Sequence, residues 1–463
     1  METITLGQLL EAVGGTLLGT YTDLDTPILK VDTDSRNMHR GALFIPLVGE
    51  RFDGHAYINS ALEGGAVGCL TARERESYRP DKFYVKVANT ERALRDLATW
   101  YKDQFDIPFV AVTGSVGKTT AKDMVAAVLG AKFKVLKTEG NFNNNIGLPL
   151  TLLRLNQDYE VCVLEMGMDR PGEIDYLGDI VKPDVGIITN IGDAHIERLG
   201  SRENIFKAKC ELLPHIKKDG LLILNGDDEL LSTMKGHTGM KTVFCGKGEE
   251  LEYRAQVTGG DGLSHICCQL TTPAMDRSVR IPALGEHMIY PTLIASAVGE
   301  HFGMTPDQIE QGLSQFVPTR MRMNILRRAD QITILDDTYN ANPQSMRAAV
   351  SVLADSNCGW RVAVLGDMLE LGPFAPSLHK GVGEYLGKSG INCLVAVGEM
   401  SEYIAEGARE SGVSEIYHCV DNQEAKRVLQ NVIKPHSTIL VKASRGMHLE
   451  ELTAQLKELT QEA

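Results

Sequence analysis

Among the nine cysteines no C-x-x-C pair and no cysteine–histidine metal spacing occurs, and only Cys267 and Cys268 stand close together. That excludes a zinc ribbon or a dithiol redox motif and predicts buried, reduced thiols. No stretch approaches the roughly 18 apolar residues of a membrane span. The opening METITLGQLLEAVGG carries acidic residues and no basic leader ahead of an apolar core. Both absences predict a cytoplasmic chain without membrane insertion. An excess of basic residues is also missing: Lys plus Arg number 47 against 61 Asp plus Glu, a formal charge of −14. Such a balance argues against tracking nucleic acid. It leaves small anionic ligands open, because a glycine loop and a few cations can hold those locally. Neither a fixed-period repeat nor a low-complexity segment is present.

What is present is length and alternation. A chain of 463 residues exceeds the size at which one core keeps growing, so two or three domains are expected. Residues 1–107 mix short strands (GALFIPL, KFYVKV) with helices such as ERALRDLATWYKDQF. From 108 to 315, FVAVTG, YEVCVLEMG, DVGIITNIG and GLLILNGDD alternate with helices, and each ends in a glycine- or Asp/Asn-rich turn. The more polar stretch 241–282 reads as a β-rich excursion. From 316 to 463 the pattern restarts with QITILDDTY, WRVAVLGDM, CLVAVGEM and STILVKAS. The prediction is an α/β chain of three domains. A smaller N-terminal α/β domain precedes a central, mostly parallel sheet with helices on both faces, and a Rossmann-like C-terminal domain follows. In open sheets of this kind ligands bind beyond the carboxyl ends of strands.

At one such end stands VAVTGSVGKTTAKDM. Gly114 and Gly117 permit backbone angles that let amides converge on an anion, and the helix that follows presents its positive end to it. Ser115, Val116 and Thr120 complete the loop. Lys118 can reach terminal phosphates, and the Thr119 hydroxyl is placed for Mg²⁺. The usual spacing G-x-x-x-x-G-K-[ST] would put glycine where Val112 stands. The base-reading N-K-x-D of a GTPase is absent. Glu165, at the end of the apolar run VCVL, is a candidate magnesium partner, the alternative being a solvated charge where the strand exits.

Further clusters share the central region. TEGNFNNNIGLPL packs four asparagines around two glycines, and NIGDAHIERLGS places His195 just past a strand end. ENIFKAKCELL carries Lys207 and Lys209 on a helix, where a solvated role is the default for both.

Taken together, TGSVGKTT, GNFNNNIGLP, EMG, NIGDAHIE, AKCE, PTRMR, DDTYNANPQSM and LGDMLELG resemble the ordered blocks of the Mur ligase family, ATP-dependent amide-forming enzymes of peptidoglycan precursor synthesis. In that family the phosphate loop lacks the outer glycine, which accounts for Val112. The C-terminal blocks, with TDSR and GERFDGHAYI, resemble the member that adds D-Ala-D-Ala to UDP-MurNAc-tripeptide. The resemblance implies ATP, two Mg²⁺ ions and a monomer. It places Lys118 on the β/γ-phosphates, Thr119 and Glu165 on one Mg²⁺, His195 on a second, and Asn145 on the γ-phosphate. Lys209, rather than Lys207, matches a lysine that many members carry as a carbamate, an anionic oxygen ligand suited to Mg²⁺. Arg320 matches an arginine reaching back to the phosphates, and Asp337, Asn340 and Asn342 a segment lining the nucleotide. His379, Ser444 and Arg445 match positions near the incoming dipeptide. Thr33, Asp34, Ser35 and Arg36, with Gly49, Asp53, Gly54 and His55, match the sugar-nucleotide domain.

Overall fold

Three large sheets form, one in each region, beside two short two-stranded ones in the first, in the computed structural model, which describes residues 1–328 and 330–458. In the first, the strands run in the order Thr16–Leu18, Phe83–Lys86, Gly68–Thr71, Ala42–Phe44, Lys30–Asp32, parallel except for the first pair. The central sheet has nine strands. Seven are parallel: Val135–Lys137, Val161–Glu165, Phe109–Thr113, Val185–Ile188, Leu221–Asn225, Lys241–Gly246 and Tyr253–Gly260. Ile266–Thr271 and Asp276–Ile281 then close the edge antiparallel. The stretch 241–282 is thus no excursion but the continuation of the central sheet. Its polar character follows from strands such as Ile266–Thr271, which bury alternate residues and leave the others half-exposed.

The inner strands are apolar throughout because helices cover both faces. Val110, Val112, Val163 and Ile187 point into a core with Met124, Val125 and Val128 of the helix Lys118–Gly130 and Leu293 of Ile289–His301. Their neighbours Ala111, Cys162, Leu164 and Ile188 point into the opposite core, with Ile174 and Leu177 of Glu173–Val181 and Leu94 and Leu97 of Thr90–Lys102. That last helix fastens the first domain to the second. Asn89 caps it, the Tyr101 hydroxyl donates to the Leu155 carbonyl at 2.7 Å, and Lys102 Nζ donates to Ile180 and Val181 carbonyls at 3.2 Å.

The third sheet runs Asn324–Arg327, Thr333–Asp336, Ser437–Lys442, Trp360–Gly366, Cys393–Val397, Glu415–Cys419, parallel except for its first pair. All nine cysteines are free. Among the described residues no helix is long and apolar enough to cross a membrane. The strand Phe109–Thr113 lies between Val161–Glu165 and Val185–Ile188, so successive connections leave it in opposite directions, and a crevice opens at its carboxyl end.

Candidate active site

The turn after Thr113 occupies that crevice. Gly114 has φ 144°, and a Cβ there would lie 1.9 Å from Thr189 Oγ1. Only glycine lets the neighbouring strand end come this close. The amides of Ser115 and Val116 donate to the Asn190 carbonyl and Oδ1 at 3.0 and 2.9 Å, which fixes the turn. Gly117, at φ 79°, caps the helix Lys118–Gly130. The first backbone bond of that helix is Ala121 N–H to Gly117 O, so the amides of the preceding turn lack intrahelical acceptors, an anion-binding end. Lys118 folds back over the loop, donating to the carbonyls of Gly114 at 2.8 Å and Ser115 at 3.5 Å. Burial pushes its ammonium below the usual lysine range, partly offset by the Glu165 charge.

A cleft of about 410 Å³ opens here, lined by Ser115 to Thr120, the asparagine loop, Glu165, Asp169, His195 and residues of the third domain. Glu165 is not a solvated strand exit: it is 3% exposed. Its Oε1 accepts from Asn143 Nδ2 at 2.8 Å, while Oε2 is buried with no hydrogen-bond partner among the described residues. A buried carboxylate oxygen without a partner is costly, and a cation at that position removes the cost. His195, in the left-handed conformation at φ 64°, brings Nδ1 to 2.8 Å from Glu370 Oε2 and 3.2 Å from Asp169 Oδ1. The His195 ring holds the Glu370 carboxyl below the ordinary glutamate range. Oxygen and imidazole donors of this kind suit a hard divalent cation.

Lys209 corrects the solvated default, since it is 1% exposed while Lys207 is exposed. Desolvation and the charge of Lys118 push its ammonium well below the lysine range. An ammonium has no lone pair for a metal, so in this form Lys209 is no metal ligand.

The third domain supplies a different arginine from the expected one. Arg320 is exposed and lines no described cleft. Arg322, two residues on, stacks 4.0 Å from the Tyr339 ring centroid and brings Nη2 to 3.5 Å from Thr119 Oγ1. The left-handed Met321 and Met323 break the regular course of the chain on either side of Arg322, a geometry that the motif PTRMR does not reveal. Tyr339, Asn340 and Asn342 join it in lining the cleft, and Asn342 also caps the helix Pro343–Ala354. Asp337 is held by Lys442, whose Nζ lies 2.6 Å from Asp337 Oδ2 and 2.8 Å from the Asn340 carbonyl.

His379 requires correction too. It is fully buried, with Nε2 accepting from Met368 N–H at 2.9 Å and Nδ1 at 2.7 Å from the Ala375 carbonyl. Both nitrogens hold the 368–379 turn, and burial keeps the ring below the usual histidine range. Ser444 is buried as well, with Oγ accepting from Leu369 N–H at 2.9 Å, and Arg445 pairs with Glu450 at 3.0 Å.

In the first domain, Asp34 caps the short turn Ser35–Asn37 and pairs with Arg36 at 2.7 Å, which lowers its carboxyl to about 2. His55 is buried between Asp53 Oδ1, at 2.7 Å, and the Ala72 amide, at 3.0 Å. Its ring therefore has no free nitrogen for a ligand, another correction. Gly54 is required because a Cβ would meet the Leu47 backbone at 2.6 Å. Thr33 and Gly49 are half-buried in the same region, away from the cleft. From this domain only Glu91 reaches the cleft, 3.4 Å from Asn145 Nδ2.

A second cleft of about 500 Å³ lies on the other side of the loop, sharing Val116, Gly117, Thr120 and Ser345. Ile191, Tyr290, Pro291 and Ile294 make it more apolar. Sequence reasoning missed this cleft, together with Asp169, Glu370, Arg322, Tyr339 and Lys442. The signals available were the aspartate closing EMGMD, the glutamate within LGDMLELG and the second arginine of PTRMR.

Three family models match the chain: "Mur ligase family, catalytic domain" over residues 27–102, "Mur ligase middle domain" over 112–299 and "Mur ligase, glutamate ligase domain" over 321–445. A Bacillus subtilis protein named UDP-N-acetylmuramoyl-tripeptide--D-alanyl-D-alanine ligase is 38% identical, covering 98% of each chain. The crystal structure I of MurF from Acinetobacter baumannii superposes with a TM-score of 0.91 at 33% identity, covering 99% of this chain and 100% of its own. MurF ligase from Thermotoga maritima in complex with ADP gives 0.82 at 27% identity, over 93% and 97%.

Proposed function

The chain belongs to the Mur ligase family, and from that premise we propose that it joins D-Ala-D-Ala to UDP-MurNAc-tripeptide at the expense of ATP, through an acyl phosphate, in peptidoglycan precursor synthesis. One observation carries the reading: a single cleft takes its lining from all three domains. Glu91 comes from the first, the phosphate loop, Glu165 and His195 from the second, and Arg322, Tyr339, Asn340 and Asn342 from the third. A ligase must bring three substrates together, whereas an ATPase driving a partner has no need of such a meeting point.

In this reading residues 1–107 bind the UDP-sugar peptide through the 33–36 turn and the 49–54 hairpin. Residues 108–315 bind ATP, and 316–463 close over it and admit the dipeptide. The second, more apolar cleft suits the nucleotide's base, as small-molecule sites usually combine apolar walls with a few polar groups. Lys118 exchanges the loop carbonyls for the terminal phosphates, with the helix amides and Asn145 beside it. A tripeptide carboxylate oxygen attacks the γ-phosphorus and ADP leaves. The D-Ala-D-Ala amine nitrogen then attacks the acyl carbon, loses a proton, and the C–O bond to phosphate breaks. Both steps bring anions together, so the protein's contribution is positioning and cancellation of charge by Lys118 and Arg322.

Thr119, Glu165 and His195, with Asp169 and Glu370 near the last, would hold two Mg²⁺ ions, which supply further charge neutralisation between nucleotide and carboxylate. Lys209 fits that set only as a carbamate. Its depressed pKa favours the neutral amine that combines with CO₂ and releases a proton, and the resulting anion would attract Lys118 instead of repelling it. The nine free cysteines fit a reducing cytoplasm.

Phosphate release from ATP tests the function. With UDP-MurNAc-tripeptide it should rise sharply on adding D-Ala-D-Ala, and the product should gain the dipeptide mass. Release that ignores both substrates overturns the reading in favour of an ATPase.

A further inference from the structure

The turn carrying Arg322 is fastened to the phosphate-loop helix by a contact that the proposed chemistry does not use. Asp123, on the helix Lys118–Gly130, is a carboxylate only 5% exposed. Its Oδ1 takes Lys137 Nζ at 2.7 Å and Lys122 Nζ at 3.1 Å, and Oδ2 accepts the hydroxyl of Thr319. Burial opposes its charge, but these three partners together hold the carboxyl below the ordinary aspartate range. Thr319 belongs to the chain between the helix Pro306–Ser314 and the strand Asn324–Arg327, where the central domain gives way to the third.

From Thr319 the constraint passes directly to Arg322, whose N–H donates to the Thr319 carbonyl at 3.1 Å. The residues on either side of Arg322 are left-handed although neither is glycine: Met321 at φ 63° and Met323 at φ 52°. Such conformations are unfavourable and persist where surrounding contacts impose them. Here Met323 N–H donates to Asp337 Oδ1 at 3.2 Å, and the Met321 carbonyl accepts from Tyr339 N–H at 3.2 Å. Arg322 Nε is buried with no hydrogen-bond partner among the described residues, a donor left for a ligand.

We propose that Thr319, anchored on the buried Asp123 carboxylate, is a positioning residue that holds Arg322 at the phosphate loop across the junction of two domains. The proposal rests on the reading above that Arg322 meets the ATP phosphates. It explains a buried charge on a helix, at a residue that lines none of the described clefts. It also explains why a strained turn is fastened at its first residue. Without the anchor Arg322 keeps its charge and its third-domain contacts, but the central domain no longer fixes it at the phosphate loop, and a displacement of about 1 Å costs up to a hundredfold in rate.

The test is steady-state phosphate release by the full-length enzyme carrying Thr319→Val, Thr319→Ser, Arg322→Ala and the Val/Ala pair, with thermal unfolding of each as a check on folding. Thr319→Val should lower kcat roughly tenfold or more with KM for UDP-MurNAc-tripeptide unchanged. Thr319→Ser, which restores the hydroxyl, should recover the rate, and Thr319→Val should add less than about twofold to the loss already caused by Arg322→Ala, the non-additivity of residues acting as one unit. A near-normal Thr319→Val enzyme beside an impaired Arg322→Ala enzyme overturns the anchoring alone, as does a full multiplicative loss in the pair or a serine variant that stays slow. Normal turnover by Arg322→Ala overturns the placing of that arginine at the phosphates, and the anchoring with it.

Discussion

Lys209 shows most clearly how one side chain can work against the fold that holds it. Its ammonium is buried, and the like charge of Lys118 acts on it as well. In the unfolded chain the amine keeps its proton to about pH 10.5, the ordinary value, whereas in the folded protein it loses it at lower pH. Between those two values the unfolded state binds more protons, so stability rises with pH across that window. Lys209→Met should therefore stabilise the protein by about 1–3 kcal/mol near pH 8 in CO₂-depleted buffer. The gain should shrink as the pH approaches 10.5, followed by urea unfolding. Turnover should fall, and short-chain carboxylates should restore part of it to Lys209→Ala. A methionine variant less stable than the parent shows that the lysine is paired in solution. At this scale sequence alone was least sufficient. Lys207 and Lys209 look alike on a helix, and Arg320 and Arg322 alike in PTRMR. His195 follows a strand end and faces a cleft, whereas His379 lies on the helix Ala375–Lys388 and closes a turn with both nitrogens.

Among the elements, the strand–turn–helix around Thr113 to Thr120 has the least tolerance. Its glycines are needed for separate reasons: Gly114 for the approach of Thr189, Gly117 for a left-handed cap. Gly114→Ala forces Thr189 away and with it Asn190, whose carbonyl and side chain hold the Ser115 and Val116 amides. Overpacking of this kind costs about 1–3 kcal/mol. We expect a fall in melting temperature together with at least a tenfold rise in KM for ATP, since the amides proposed to cradle the phosphates move with the turn. An unchanged KM would separate the loop's geometry from nucleotide binding. This element was readable in advance because its signals are local: an apolar run of strand length, glycines at a turn, and a helix opening on Lys-Thr-Thr. The strands from Lys241 to Ile281 were legible as β-rich but not as part of the central sheet, because a strand's pairing partner is not written in its own composition.

The whole molecule adds what no element contains, the meeting of three domains at one cleft. The first domain is fastened to the second by Tyr101, Lys102 and the pairing of Arg95 with Asp179, and of that domain Glu91 alone lines the cleft at the phosphate loop. Lys118→Ala should accordingly abolish turnover yet leave UDP-MurNAc-tripeptide affinity within about twofold, measured by calorimetry, because a lysine at the phosphates contributes nothing to a site in another domain. Loss of that binding as well would mean that the domain roles are wrongly divided.

By itself the sequence determined the three α/β regions, the phosphate loop and the family, since strand period, turn chemistry and ordered blocks are written in neighbouring residues. Only the tertiary structure decided which arginine faces the loop, which lysine is buried, and that Asp169 and Glu370 meet His195. Each of those depends on side chains brought together from strand ends far apart in the chain. Their distances and burial come from packing, which no local pattern encodes.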